Sequence, residues 1–374
     1  MIKLTVPEIS DEGIAAVEKI LRSGNLVHGN ECEQLERELA QYLGCEDVVV
    51  VSSGTAALHL ALLAQGIGPG DAVVVPDFTF PATANVVELV GARLVLADVS
   101  PQTYNITPET LERAIAQWDG PEKIRAVIPV HEFGCPAEMT GIMNAAKDHG
   151  LIVIEDAACA LGAAHAGKKA GTFGELGCFS FHPRKAITTG EGGAIAVHDP
   201  SVSQKLRQLR NHGMQLTDKG FRFVAAGYNY RLTNFQAALG RAQLKRFPEG
   251  LGARDRLQKT YRDELARFTG LALPAEVDGH AWQTFMVVLP EHIDRAGVIA
   301  RLRANGVESN LGAYAVHAQP YYEAKYPAMA EAMRKSVSGR LYDHGLALPF
   351  YAALSKSEAG TVVAALGTAL GRSH

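Results

Sequence analysis

The stretch SFHPRKAITTGEGG, residues 180–193, sets Lys185 between an apolar run and a glycine-rich turn. A solvated lysine needs no such setting. A lysine that must form a covalent bond does, because its amine has to lose a proton, and burial or nearby positive charge promotes that loss. Arg184 beside it either assists in that direction or points to solvent. The glycines of TTGEGG let backbone approach a bound ligand closely.

Two other stretches add to this. LIVIEDAA brings Asp156 to the carboxyl end of an apolar run, where open α/β sheets bind ligands. A helix N-cap is the alternative reading of Asp156. Its neighbour Glu155 reads as facing solvent or a structural partner. SSGTAALHLAL places Gly54, Thr55 and Ala56 after a strand and in the first turn of a helix. Free N–H groups and the helix dipole favour a phosphate there, with the Thr55 hydroxyl as a further donor, although capping alone also accounts for Ser-Gly-Thr. Taken together, the three features suit pyridoxal phosphate. Its phosphate needs N–H donors, its pyridine nitrogen a carboxylate, and its aldehyde an amine.

One glycine-rich stretch is set aside. GIGPGD (66–71) follows a helical pattern and precedes a strand, the reverse of a dinucleotide loop, and reads as a helix-ending turn.

These groups need a scaffold. Seven short apolar runs, at 47–51, 72–76, 93–99, 124–130, 151–156, 177–181 and 193–197, alternate with helical patterns. Their near-continuous apolarity predicts strands buried on both faces, hence an α/β fold with a mainly parallel seven-stranded sheet sandwiched by helices. TAALHLALLAQG and TPETLERAIAQ are two of the helices; the second has Thr107 as N-cap, Pro108 at the first position and Glu109 in the first turn. The alternation fades after about Gly240. AWQTFMVVL (281–289) then reads as a strand, and DRAGVIARLRANG and SKSEAGTVVAALGTALGR as helices. This predicts a large α/β domain over 1–245 and a smaller C-terminal α+β domain over 246–374.

Composition narrows the function. A 374-residue chain with 47% hydrophobic and 20% charged residues has the balance of a globular protein. A net charge of −4 without a basic tract argues against nucleic acid as partner. No run approaches membrane-spanning length, and MIKLTVPEISDEG lacks the apolar core of a signal peptide, so a cytoplasmic location is expected. Cys32, Cys45, Cys135, Cys159 and Cys178 form no CxxC pair, and no histidines have HExxH spacing, so no metal is expected. Most of the cysteines read as small buried hydrophobes.

EDAACALGA, GTFGELGCFSFHPRKAITTGEGG and GYNYRLTNFQAALG closely resemble the DegT/DnrJ/EryC1/StrS sugar aminotransferase family, and the likeness covers nearly the whole chain. It implies the aspartate aminotransferase fold (fold type I of pyridoxal-phosphate enzymes), a homodimer, and transfer of an amino group from an amino acid, usually glutamate, to a nucleotide-linked keto sugar. It further implies that Lys185 bonds the cofactor and moves protons, and that Asp156 pairs with the pyridine nitrogen. Gly54, Thr55 or Ala56, and Ser180 would hold the phosphate. Phe80 would stack on the ring, an ordinary core phenylalanine being the other reading, and Asn229 would reach the phosphate of the partner subunit. Tyr314 and His317 would border the sugar nucleotide. Cys159 stands where many relatives have glutamine, which bears on hydrogen bonding to the cofactor's phenolic oxygen, since a thiol bonds only weakly. Three alternatives stand beside this reading: a dehydratase of the same family, against which Lys185 argues because those enzymes carry histidine there; a cyclitol aminotransferase; and a non-catalytic regulatory protein.

Overall fold

The seven apolar runs become the strands of one sheet: β1 (Asp47–Val51), β2 (Asp71–Pro76), β3 (Arg93–Ala97), β4 (Lys123–Val127), β5 (Ile152–Asp156), β6 (Leu176–Ser180) and β7 (Gly193–Val197). The computed structural model describes residues 1–371. The strands lie in the order β1-β7-β6-β5-β4-β2-β3. β7 runs antiparallel to β1 and β6, and every other pairing is parallel. The run at 93–99 stops at Ala97 because Asp98 leaves the ladder, its carboxylate accepting from the Val337 and Ser338 N–H groups.

Burial on both faces explains the apolar runs. Side chains alternate across a strand, so Val49, Val51, Val73 and Val75 share one core. Val48 and Val50, like Ala72 and Val74, lie in cores on the other side. Each buried valine contributes about 1.5–3 kcal/mol. The covering helices are α1 (Asp11–Ser23), α2 (Asn30–Leu43), α3 (Gly54–Ala64), α4 (Ala82–Leu89), α5 (Pro108–Gln117), α6 (Met139–His149), α7 (Pro200–Arg210) and α8 (Asn234–Leu265). α3, α4 and α7 pack on the first face. On the second, α2 and α8 cover one part and α5 and α6 the other. α5 starts as its sequence dictates, Thr107 and Thr110 forming a capping box. GIGPGD is a turn between α3 and β2, with Gly66 and Gly70 in the left-handed region.

A second core builds on the far half of α8. Leu257, Tyr261 and Leu265 pack with the antiparallel pair Phe285–Val288 and Gly345–Leu348 and with helices Arg295–Ala304 and Lys356–Ala369. The strand expected over 281–289 is shorter, Phe285–Val288, in the second half of that run. The closing helix begins at a Ser355–Glu358 capping box and ends at Ala369; Arg372, the last residue of that expected helix, lies outside the described residues. Residue 245 falls inside α8 among residues of the first core, for Leu244 and Phe247 both serve it, whereas Leu257 serves the second. Among the described residues no helix is long and apolar enough to cross a membrane. All five cysteines are free, and Cys32, Cys135 and Cys178 are buried.

Candidate active site

Asp156 is the last residue of β5, and no helix follows it. The N-cap reading therefore falls. Its carboxylate is buried, with Oδ2 accepting from Thr83 Oγ1 at 2.8 Å and Oδ1 from the Ala158 N–H at 3.1 Å. Thr83 belongs to α4 and also meets the Phe80 carbonyl and Thr79 Oγ1. One hydroxyl thus joins the strand-end aspartate to the segment carrying Phe80. Phe80 itself is 63% exposed, which rules out the core reading.

Glu155 does not face solvent. It is fully buried and accepts from the Gly171, Phe173 and Gly174 N–H groups at 2.8, 2.6 and 2.8 Å. It also accepts from His131 Nε2 at 2.9 Å. His131 Nδ1 takes the Ala137 N–H, so Nε2 carries the ring proton. This network fixes β5 against the end of β4.

Lys185 follows β6 by a short loop, and its Nζ lies 3.0 Å from Cys159 Sγ. Arg184 is exposed and gives the lysine no positive neighbour. Burial works to lower the Lys185 pKa, but Cys159, Glu132 and Asp156 outweigh it and the net direction is up. Without a ligand the amine is thus held as ammonium, contrary to the sequence expectation, because its surroundings are acidic. Burial pushes the Cys159 thiol up.

The start of α3 meets the end of β6. A Cβ on Gly54 would lie 2.8 Å from the Ser180 Cβ, so only glycine lets the two segments approach this closely. Ser53 caps the helix by accepting from the Ala56 N–H at 3.0 Å. Ala56 is thereby satisfied. The Gly54 and Thr55 N–H groups precede the first possible intrahelical bond and make no hydrogen bond among the described residues. A helix start with two open donors beside a serine hydroxyl fits a phosphate. Lysine, carboxylate and cradle together fit the pyridoxal cofactor.

The remaining expected residues fall at two places. His317 is buried, donating its backbone N–H to Asp77 Oδ1 at 2.8 Å, with Nδ1 2.6 Å from Asp77 Oδ2. Tyr314 pairs with Thr79 in a two-residue ladder and packs edge-on against Phe80. This puts both beside the Phe80 segment. Asn229 is exposed, while its neighbours Tyr228 and Tyr230 stack on each other with centroids 4.9 Å apart. The Tyr230 carbonyl accepts from the Ser52 N–H at 2.8 Å. Thr233 and Gln236 form the capping box of α8.

Sequence reasoning passed over Thr83, Asp77 and Glu132. The last two carry a signal it used for Asp156, an acid just beyond an apolar run. Glu132 is buried, and burial, with Asp156 nearby, pushes its carboxyl up to about 8 despite the opposing Lys185 charge. Among the described residues no cluster of three His, Cys, Asp or Glu could hold a metal ion.

A doubly covered α/β sheet presenting a lysine, a strand-end carboxylate and a helix-start phosphate cradle defines a pyridoxal-phosphate enzyme. The chain belongs to the DegT/DnrJ/EryC1/StrS aminotransferase family, whose model matches residues 7–367. It is 40% identical over 342 residues to the GDP-perosamine synthase of Caulobacter vibrioides, spanning 90% of this chain and 89% of that protein. An aminotransferase from Psychrobacter cryohalolentis superposes with a TM-score of 0.89 at 31% identity, covering 98% of each chain. The Spr1654 protein of Streptococcus pneumoniae, solved in its PLP form, gives 0.86 at 25% identity, covering 98% of this chain and 97% of the other. The protein is a pyridoxal-phosphate-dependent aminotransferase.

Proposed function

We propose that the protein moves an amino group from L-glutamate to a keto sugar carried on a nucleoside diphosphate, with guanosine diphosphate the first nucleotide to test because of the Caulobacter relative. What supports the residue roles is that Lys185 and Asp156 feel each other's charge, while Gly54 packs on Ser180 at the end of β6, the parallel neighbour of the strand that ends in Asp156. When bound, the cofactor supplies a carbonyl that carries nitrogen and a ring that accepts the electron pair released at Cα. Lys185 Nζ would hold the cofactor's carbonyl carbon and would move the proton at the substrate Cα. Asp156, held by Thr83 and the Ala158 N–H, would keep the pyridine nitrogen protonated. The Gly54 and Thr55 N–H groups and the Ser180 hydroxyl would hold the phosphate. Phe80 would lie against the ring, and Tyr314 and His317 would border the sugar.

The proposal includes a cytoplasmic homodimer whose subunits share sites. Two observations support the sharing. Asn229 projects from a segment whose aromatics are occupied internally. The hairpin Met214–Thr217 with Gly220–Phe223 exposes Leu216, Phe221 and Phe223, an apolar surface suited to a second copy. The activity is tested by supplying glutamate with GDP-linked 3-keto and 4-keto sugars and measuring 2-oxoglutarate and amino sugar. No amino sugar from any nucleotide-linked keto sugar sinks the substrate assignment. Sharing is tested by mixing Lys185→Ala and Asn229→Ala under subunit exchange. Activity should return from the heterodimer site that carries neither lesion, and confirmed heterodimers with no recovered activity exclude it.

A further inference from the structure

Glu132 sits in a turn that the rest of the molecule holds rigidly. Phe133 adopts the left-handed conformation (φ 57°, ψ 14°), uncommon for a bulky residue, and Gly134 follows at φ 87°. Such strain persists only where surroundings over-determine it. Here they do. Asn105 accepts from the Glu132 N–H at 2.7 Å and donates to the Cys135 carbonyl at 2.9 Å. The Gln283 and Ala281 N–H groups bond the Phe133 and Gly134 carbonyls, both at 2.8 Å. The preceding His131 donates its backbone N–H to the Asp156 carbonyl at 3.0 Å. The turn also presses on Cys159, for a Cβ on Gly134 would lie 3.1 Å from the Cys159 carbonyl oxygen.

The side chain so positioned is a buried carboxyl that, among the described residues, no other side chain hydrogen-bonds. The Phe133 N–H favours its charge from the backbone, and Lys185, Asp156 and Cys159 all feel it. Tyr104 and His280 border its other side, and burial drives the imidazole down to about 3, hence neutral. Burying a carboxyl in an apolar turn is costly unless it is paired or kept protonated, and so calls for a reason.

The covalent structure of pyridoxal phosphate supplies one. Around the ring, the phenolic oxygen lies next to the aldehyde carbon, on the side away from the phosphate arm. A group near both the lysine at that carbon and the aspartate at the ring nitrogen, yet outside the phosphate cradle, faces that oxygen. We propose that Glu132, in its neutral form, donates the hydrogen bond to the cofactor's phenolic oxygen that Cys159 is too weak a donor to supply. The phenolate would itself disfavour a charged neighbour, which keeps the carboxyl protonated. A donor there withdraws charge from the oxygen and so makes the nitrogen that joins Lys185 to the cofactor less basic.

This rests on the cofactor reading of the site and not on the identity of the sugar. Its test is a visible-absorbance pH titration of the loaded protein without substrates, in wild type, Glu132→Gln, Glu132→Leu and Cys159→Ala. Glu132→Leu should raise the midpoint by about one to two pH units, the worth of one hydrogen bond to a charged oxygen. Glu132→Gln, whose amide still donates, should stay close to wild type, and Cys159→Ala should move less than Glu132→Leu. Coincident titrations of wild type and Glu132→Leu overturn the proposal, as does a larger shift in Cys159→Ala. Should the leucine variant not retain cofactor, the infrared difference between loaded and stripped protein decides. A protonated-carboxyl band present in wild type and missing in Glu132→Gln supports the assignment, and no such band overturns it. A wild-type protein that binds no pyridoxal phosphate would instead sink the cofactor reading itself.

Discussion

Lys185 Nζ lies 3.0 Å from Cys159 Sγ. Burial keeps that thiol protonated, and a neutral sulfur is a weak acceptor. The contact places the amine without a covalent tie, so the amine can still exchange one covalent partner for another. Lys185→Ala should abolish turnover and remove the visible band of lysine-bound cofactor. Absorbance spectra and a glutamate-dependent assay check both, and wild-type turnover in the variant would exclude this lysine.

Asp156→Asn should leave the protein folded, because the amide oxygen can accept from the Ala158 N–H while the Thr83 hydroxyl turns to accept from the amide NH2. Most activity should vanish, since a neutral amide does not hold the pyridine proton. Equal kcat in variant and wild type would reduce Asp156 to a structural group.

Gly54→Ala tests the cradle. The new Cβ would meet the Ser180 Cβ at 2.8 Å, forcing α3 and β6 apart. Overpacking of this kind costs about 1–3 kcal/mol, so affinity for pyridoxal phosphate should fall roughly tenfold or more. Equilibrium titration of stripped protein with the cofactor measures this. Unchanged affinity would place the phosphate elsewhere.

Glu155→Ala should destabilise without touching the cofactor. It strands three backbone N–H groups and the His131 ring proton, at about 1–3 kcal/mol for each donor left unsatisfied. Urea denaturation of the loaded proteins should show a clearly lower midpoint. Superimposable curves would contradict the network.

Stability of the cofactor-free protein should depend on Glu132 and pH in a defined direction. Burial raises this carboxyl from 4.5 to about 8 in the fold, so between those values the native state binds the extra proton. Stability must then fall as pH rises through that window, and Glu132→Gln should lack this component. Denaturation midpoints compared at pH 5 and pH 8 read it out. An equal pH slope in both proteins would show the carboxyl to be ionised throughout.

Much of the scaffold could be read along the chain, because each strand of a sheet buried on both faces is a local apolar run. The seven runs sit where β1 to β7 lie, and Thr107 caps α5 as its neighbours require. Lys185 and Asp156 were legible for a related reason: each stands at a fixed offset from such a run, and chemistry of this kind needs those side chains at strand ends. Contacts between distant segments left no local mark. Nothing in HEFGCP announces that Glu132 feels the Lys185 charge, and nothing in FPATAN announces that Thr83 reaches Asp156, 73 residues away. Glu155 read equally as facing solvent or a structural partner, and only the packing of residues 171–174 against it supplied the N–H groups that decide for the second. Periodicity determined the elements, since it records which faces leave water. The order of strands in the sheet determined which polar groups meet, and with them the acidity of the lysine's surroundings.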